Sequence, residues 1–444
     1  MLAAIGAGSL RELFASVPPQ LLEPPIELPP PLGEQELVED LTRLAARNRP
    51  MGELDCFLGA GVYRRFIPAI VKGTVSRPEF YTAYTPYQAE ASQGTLQTIF
   101  EFQSMICALT GMDVANASLY DGATATAEGA LLAVAHTGRR RVLVAGVLHP
   151  ETLRVLRTYA EGRSVGIDVV GGGGGALVVE EVAAALTDGH AAVLTAQPTF
   201  LGAINDLRPL ADTAHAAGAL LVVAVDPMAA SVLVTAGEQG GDVAVGEAQQ
   251  LGIPASYGGP HCGFMAVRQP LLRRMPGRLV GMTVDHIGRR SYTLTLQTRE
   301  QHIRRENATS NICTNHALMA LAATVYMARM GLAGMRAVVE VSARRTHHLV
   351  ERLAELPGIE PALPPGAPYL YEAPVRVGGD ARRFSRALRE RGILAGLPLG
   401  GLVEGHDDCL LVCCTETTSA PAIERFVEAA AVVARSRAHQ EARA

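Results

Sequence analysis

The feature that most constrains this chain is a regular alternation of short apolar stretches and helical stretches between residues 94 and 267. Strands are expected at 141–145, 166–170, 191–196, 219–225, 242–245 and 263–267, and helices at 95–110, 123–135, 179–186 and 207–217. Strands separated by helices return in the same direction and build a mostly parallel sheet covered on both faces. The stretch 217–225 is apolar throughout and leads into Asp226, as a buried parallel strand should. The chain is therefore read as an α/β protein.

Beyond about residue 318 the pattern changes. Long helices at 317–330 and 335–356 precede a proline-rich turn at 361–368. A strand near 374–377, a helix near 381–391, a strand near 409–414 and a helix at 421–438 complete an α+β module. At the other end, a helical stretch at 9–15, a proline-rich connector at 18–31 and a helix at 34–47 form an arm. The connector cannot be regular helix, because its prolines remove donors and fix the backbone. The expected division is an arm at 1–60, a large α/β domain at 61–325 and a small C-terminal α+β domain at 326–444. Such an arm commonly wraps a neighbouring subunit or domain.

Composition narrows the class. Hydrophobic residues at 48% against 19% charged allow large cores in 444 residues. No apolar run reaches the ~20 residues needed to cross a bilayer, and no signal peptide is evident. Seven cysteines without a framework spacing favour a reducing compartment. Cys413 and Cys414 are neighbours on one strand, so they face opposite sides as core residues and form no metal site. The formal charge of -5 argues against nucleic acid. A soluble cytoplasmic protein, without membrane or nucleic-acid partner, is expected. The glycine run at 171–175 lacks the lysine of a P-loop and is read as a turn.

The 39 basic residues include a single lysine, Lys72. Arginine cannot lose its proton to become an imine-forming amine, so Lys72 is the only side-chain candidate for that role.

Four polar clusters stand out. Residues 84–94, YTPYQAEASQG, place Tyr84, Tyr87, Gln88 and Ser92 in an extended stretch ahead of a helix. A loop this dense in polar and aromatic groups more often lines a site, although Ser92 can simply cap the helix. Residues 115–129, ANASLYDGATATAEG, turn through Asp121 into a helix. The amides of Gly122, Ala123 and Thr124 at its start suit a phosphate, and an ordinary cap by Asp121 fits equally well. The strand ending at Asp226 offers a carboxylate that could pair with a pyridinium nitrogen, and 245–267 carries a Gly-Gly-Pro element. Residues 296–318, LQTREQHIRRENATSNICTNHAL, combine Arg299, Arg304 and Arg305 with Thr309, Ser310 and Asn311. The arginines can grip carboxylate or phosphate with paired donors; a solvated turn with a helix cap is the plainer reading.

Taken in order, YTPYQAEASQG, SLYDGATATAEG, GGPHCGFMAVR and LQTREQHIRRENATSNICT resemble the P-protein of the glycine cleavage system, in its first-half (alpha) subunit. The match runs from about Cys56 to about Met327, with weaker support beyond. The resemblance implies a fold-type-I pyridoxal-phosphate-dependent transferase, aspartate aminotransferase-like, and one of two related subunits. In the catalytic half of the family a His-Lys pair precedes an Ile-Pro element and a Gly-Gly-Pro. Aligning Ile253-Pro254 and Gly258-Gly259-Pro260 puts Gln249 where that lysine would stand.

The resemblance therefore implies that pyridoxal 5'-phosphate is bound covalently by the partner beta subunit and not by this chain. Gly122, Ala123, Thr124, His149, Asp226 and Gln249 become a vestigial pocket. Tyr84, Tyr87, Gln88 and Ser92 are expected to reach the partner's active site as catalytic residues. Thr309, Ser310 and Asn311 are expected to bind the cofactor phosphate across the interface, and Arg304 and Arg305 to meet substrate or carrier. The arginine-rich stretch from Arg273 to Arg278 is a further candidate surface for an acidic carrier. The implied activity is that of glycine dehydrogenase (aminomethyl-transferring, decarboxylating), an oxidoreductase. In an α2β2 assembly glycine loses carbon dioxide and its aminomethyl group passes to the lipoyl arm of the H-protein. A non-catalytic scaffold or regulatory subunit of the same complex is the alternative.

Overall fold

A computed structural model of the chain describes residues 1–171 and 173–441, the last six by backbone alone. Gly172, inside the glycine run read as a turn, and residues 442–444 lie outside the described residues. The chain divides into two compact units, Met1–Glu53 and Leu54–Ala444.

The first unit holds short 3-10 turns at Leu2–Ile5, Arg11–Phe14 and Pro19–Leu21, and one helix, α1 (Glu34–Ala45). The helical stretch read at 9–15 shrinks to the single turn Arg11–Phe14, since so short a segment cannot recover the cost of nucleation. At the start of α1 the Glu36 carboxylate accepts the Gly33 N–H. Leu37, Val38, Leu41 and Leu44 form an apolar stripe at helical spacing, and all four are exposed.

The second unit is built on a seven-stranded sheet. Its strands are β1 (Val114–Ala115), β2 (Arg141–Ala145), β3 (Gly166–Val170), β4 (His190–Gln197), β5 (Leu220–Val225), β6 (Val243–Glu247) and β7 (Gly263–Val267). Their order is β1-β7-β6-β5-β4-β2-β3, and only β7 runs antiparallel to its neighbours. The main helices around it are α2 (Gln93–Thr110), α3 (Gly122–Thr137) and α4 (Pro150–Glu161). α3 approaches the sheet closely because its buried residues are small: Ala125, Ala127, Ala130 and Ala133 pack with Val222, Val243 and Val245. At Gly129 an added Cβ would already lie 3.1 Å from Val245 and 3.2 Å from Val222.

After the sheet comes an antiparallel hairpin absent from the sequence reading, β8 (Leu279–Val284) with β9 (Arg290–Thr295). β8 passes from buried to exposed along its length, so it shows neither a continuous apolar run nor a period of two. Helix α5 (Ala317–Ala354) is interrupted at Gly331, whose φ of 58 separates the two helices expected there. By length and composition alone α5 could cross a membrane, which the sequence reading did not anticipate; its Ala320, Ala323, Tyr326 and Met327 are core residues.

The C-terminal lobe is a four-stranded antiparallel sheet, β10 (Glu360–Pro361), β11 (Glu372–Arg376), β12 (Leu397–Pro398) and β13 (Cys409–Cys413), in the order β10-β11-β13-β12. Helices α6 (Ala381–Arg389) and α7 (Ala420–Glu441) complete it. Phe57 belongs to this core, and Asp55–Cys56 pairs with Ile393–Leu394. Cys413 and Cys414 are buried in different clusters, as the two faces of a strand require.

The two lobes meet at Gly202, whose φ is 86; an added Cβ would lie 2.1 Å from the Glu372 carbonyl oxygen. Gly202→Ala is therefore expected to destabilise the fold by at least about 1–3 kcal/mol, through left-handed strain and the clash together. Thermal melts followed by circular dichroism check this, and an unshifted midpoint contradicts it.

Candidate active site

In open α/β sheets, ligands bind beyond the carboxyl ends of the strands where the strand order reverses. Here the reversal falls between β2 and β4, and a cavity of about 500 Å³ opens at that point. Leu148 and His149 after β2, Thr199 and Phe200 after β4, Asp226 after β5 and Glu247 at the end of β6 line it. Tyr371 and Glu372, at the head of β11, face it from the C-terminal lobe.

Of the six residues read as a vestigial pocket, Gly122, Ala123, His149 and Asp226 line this cavity, whereas Thr124 and Gln249 do not. The polar ones are engaged within the chain. Asp226 Oδ1 accepts the N–H groups of Met228 and Ala229, and its Oδ2 accepts the Gln250 amide and the Tyr371 hydroxyl. At the start of α3, Asp121 accepts the Thr124 N–H at 2.7 Å, so the ordinary cap is realised. The Gly122 N–H goes to Glu247 at 2.9 Å. Glu247 also accepts the N–H groups of Gln249 and Cys262, and it raises the pKa of neighbouring His261.

His149 caps α4 by accepting the Glu151 N–H at Nδ1, and its Nε2 meets the Ala60 carbonyl at 3.1 Å. Burial lowers its pKa, and its ring packs edge-on against Phe200. Gln249 accepts the Tyr63 N–H and donates to the carbonyls of Tyr63 and Ile253, which staples residues 63 and 253 together. Lys72 is exposed on the helix Ala69–Val75 and is not part of the lining.

The second set of candidates lies elsewhere. None of Tyr84, Tyr87, Gln88, Ser92, Arg304, Arg305, Thr309, Ser310 and Asn311 lines the cavity. Tyr84 is 75% and Tyr87 58% exposed, and Gln88, Arg304, Arg305 and Asn311 are exposed too. Ser92 stands at the start of α2, but its side chain makes no capping hydrogen bond. Arg299 does not present its donors to solvent: it gives them to the carbonyls of Leu296, Met275 and Gly277. Ser310 accepts the Ile312 N–H and hydrogen-bonds Glu128, a buried carboxyl on α3. Within the stretch from Arg273 to Arg278, Arg273 and Arg274 are exposed while Arg278 is buried.

The family profile described as glycine cleavage system P-protein matches residues 1–428. The probable glycine dehydrogenase (decarboxylating) subunit 1 of Thermomicrobium roseum is 50% identical over 431 residues, covering 97% of this chain and 96% of that one. Its counterpart in Desulforamulus reducens is 48% identical, covering 96% and 95%. This chain belongs to the P-protein family. A crystal structure of glycine decarboxylase (P-protein) of the glycine cleavage system, in inhibitor-bound form, agrees with a TM-score of 0.91 at 44% identity, covering 98% of this chain and 97% of that one. A Burkholderia pseudomallei sphingosine-1-phosphate lyase, 15% identical with a TM-score of 0.66 over 97% and 96%, shares the fold. The fold is the fold-type-I architecture of pyridoxal-phosphate-dependent enzymes.

One expectation needs correction: that pyridoxal phosphate is bound by a partner subunit and not by this chain. The pyridoxal-phosphate fold extends over nearly the whole of this P-protein chain, so the fold gives no ground for assigning the cofactor to a partner and denying it to this chain. The substitution of one lysine by Gln249 bears on an imine at that position, not on which subunit holds the cofactor. The cavity has the volume for such a ring. A phosphate at α3 would have to displace Glu247 from Gly122, and a ring nitrogen would have to displace Gln250 or Tyr371 from Asp226. Both anchor points are thus occupied by the chain's own side chains in this arrangement.

The residues that organise the cavity escaped the sequence reading. Glu372 is buried; it accepts the Ala60 N–H at 2.5 Å and the Tyr63 hydroxyl at 2.8 Å. Burial pushes its pKa up to about 7 against those two hydrogen bonds, and Asp226 adds to the rise. Burial, followed by the nearby carboxylates, pushes Tyr63 and Tyr371 well above the usual tyrosine range, so both phenols stay protonated donors. Arg65 donates to Gln250, Ser342 and Glu416, and its guanidinium lies 4.5 Å from the Tyr371 ring centre. These residues lie in two short stretches, Tyr63–Arg65 and Tyr371–Glu372, that carry no motif spacing.

Glu372 gives a pH-dependence with a definite sign. Its folded pKa, about 7, lies above the ordinary 4.5, so in between the folded state holds a proton that the unfolded chain has lost. That stability is fully present below the ordinary value and is lost as pH rises through the folded one. Buried Glu128, also pushed up to about 7, contributes with the same sign. Glu372→Gln is expected to flatten the loss of stability between about pH 5 and about pH 8 by on the order of 2–3 kcal/mol, leaving the Glu128 part. Denaturant unfolding at the two pH values measures this; an unaltered slope rejects it.

Proposed function

We propose that this chain is subunit 1 of a glycine dehydrogenase (decarboxylating) that works with a second, related subunit. Glycine loses its carboxylate as carbon dioxide, and its aminomethyl carbon bonds one sulfur of a lipoyl disulfide on a carrier protein, the H-protein. The other sulfur leaves as a thiol, so the disulfide is the oxidant and the subunit belongs to an oxidoreductase. The reading rests on one observation: identities of 44% to the P-protein structure and 50% to a subunit 1 hold over nearly the full length of both chains. Pyridoxal phosphate, the cofactor of this fold, supplies an electron sink for the bond to the departing carboxylate.

This chain's own contribution is its exposed face. Tyr84, Tyr87, Gln88 and Ser92, with Thr309, Ser310 and Asn311, meet the second subunit and complete a site at the junction. Arg304 and Arg305 offer guanidinium forks to the carboxylate of glycine or of an acidic carrier. The exposed apolar stripe of α1 supports an arm covered by a partner, and two copies of each subunit give a symmetric cytoplasmic assembly.

The test uses the purified chain, its candidate second subunit and their mixture. Exchange of labelled bicarbonate into glycine is measured with lipoylated carrier present. Exchange is expected in the mixture and should fall at least ~10-fold with Tyr87→Ala or Thr309→Ala while the subunits still co-elute. Full exchange in both variants would make this chain a scaffold, and no exchange in the mixture rejects the reading altogether.

A further inference from the structure

Arg278 stands immediately before β8 with a side chain only 3% exposed. A guanidinium keeps its proton under all physiological conditions, so burial obliges the fold to answer its charge and its N–H groups. Nη1 donates to Thr85 Oγ1 at 3.1 Å and Nη2 to Tyr87 Oη at 3.0 Å. The guanidinium carbon lies 5.3 Å from the centre of the Tyr87 ring, a cation–π distance. Nε has no hydrogen-bond partner among the described residues and faces Glu300 Oε2 at 3.7 Å. Glu300 is itself buried and also faces His302 at 3.7 Å. A loop that exposes Tyr84 and Tyr87 is thus tied from inside by a charge that cannot leave.

The arginine is in turn fixed by its surroundings. Asn116 donates to the Pro276 carbonyl, and the Ala117 N–H donates to that of Arg278 itself. Arg299 holds the carbonyls of Met275 and Gly277. Two polar segments far apart in the sequence, around Tyr87 and around Arg299, therefore form one unit with Arg278 between them. A lysine could keep the charge, but its single nitrogen cannot reach Thr85 and Tyr87 and face Glu300 at once.

We propose that Arg278 is a positioning residue: it sets the height and orientation of the Thr85–Tyr87 loop, and so the face that Tyr84, Tyr87 and Gln88 offer to the second subunit. Its effect on catalysis, though not on the loop, rests on the function proposed above.

The chain contains no tryptophan, so Tyr84→Trp places a single indole reporter in the loop. In the full-length chain carrying that reporter, Arg278→Lys and Tyr87→Phe are each expected to raise acrylamide quenching about twofold and to lower anisotropy. The double variant should go no further, because both changes remove the same bond. Unchanged quenching in the single variants overturns the proposal; should Arg278→Lys not fold, Tyr87→Phe and Thr85→Val decide from the exposed side. Activity is measured separately in the reconstituted complex with Tyr84 native. Arg278→Lys is expected to lower kcat about tenfold with the KM for glycine little changed, and added guanidinium to restore part of the loss in Arg278→Ala. A loosened loop with full activity keeps the positioning but removes the loop from the site. A rigid loop with lost activity does the reverse.

Discussion

A second buried guanidinium, that of Arg65, is the constraint on which the cavity depends. Its charge cannot be neutralised by losing a proton, so every element around it must supply an acceptor. Gln250 comes from the turn after β6, Ser342 from α5, and Glu416 from the turn after β13. Tyr371, at the head of β11, has its ring centre 4.5 Å from the guanidinium carbon, a cation–π distance. Removing one partner of such a buried pair costs about 3–5 kcal/mol, against about 1 kcal/mol for an ordinary hydrogen bond. The parallel sheet and the C-terminal lobe are therefore joined through one cation more firmly than through any single neutral contact.

The order of the cavity follows from that cation. Gln250 receives Arg65 on its oxygen, so its amide nitrogen is directed to Asp226. Tyr371 packs under the guanidinium and gives its hydroxyl to the same carboxylate. Tyr63 meets Tyr371 edge-on, at 5.6 Å between ring centres, and gives its own hydroxyl to Glu372. Asp226 and Glu372 are thus satisfied by neutral donors, which answer their geometry but do not cancel their charge. Burial, opposed by the hydrogen bonds from Ala60 and Tyr63 and aided by Asp226, pushes the Glu372 carboxyl up to about 7.

The large sheet was almost wholly legible in the sequence. Strands β2 and β7 fall on the expected residues, because a buried strand must be apolar and must stop at polar or glycine residues; the edge strand β3 does so too, although it carries Asp168 and is only half-buried. The break at Gly331 was legible for a similar reason, since a backbone with φ of 58 is glycine's territory. What could not be read were elements that owe their form to distant partners. Asp55–Cys56 is a strand only because Ile393–Leu394 lies beside it, and the hairpin of β8 and β9 lacks a clean period. The cavity was half legible: Asp226 and His149 announce themselves by standing just past a strand. Arg65 and Glu372 stand in no motif, and their meaning appears only when residues some 310 apart in sequence, such as Ala60 and Glu372, are brought together.

The polar clusters show why a motif can be recognised correctly and its residues still misjudged. The donors that let an arginine grip a ligand's carboxylate also let it grip the chain's own carbonyls. Arg299, Arg304 and Arg305 lie within seven positions and look equivalent in the sequence. In the fold Arg299 is turned inward onto Met275 and Gly277, while Arg304 and Arg305 remain exposed. Arg278 inverts the usual expectation for a basic stretch in the same way, since it is the buried member of a run whose neighbours Arg273 and Arg274 are exposed. Its burial gives the exposed tyrosines their fixed positions. Within these clusters the residues that face solvent and those that hold them in place must both be kept, and only the direction of each N–H separates the two roles.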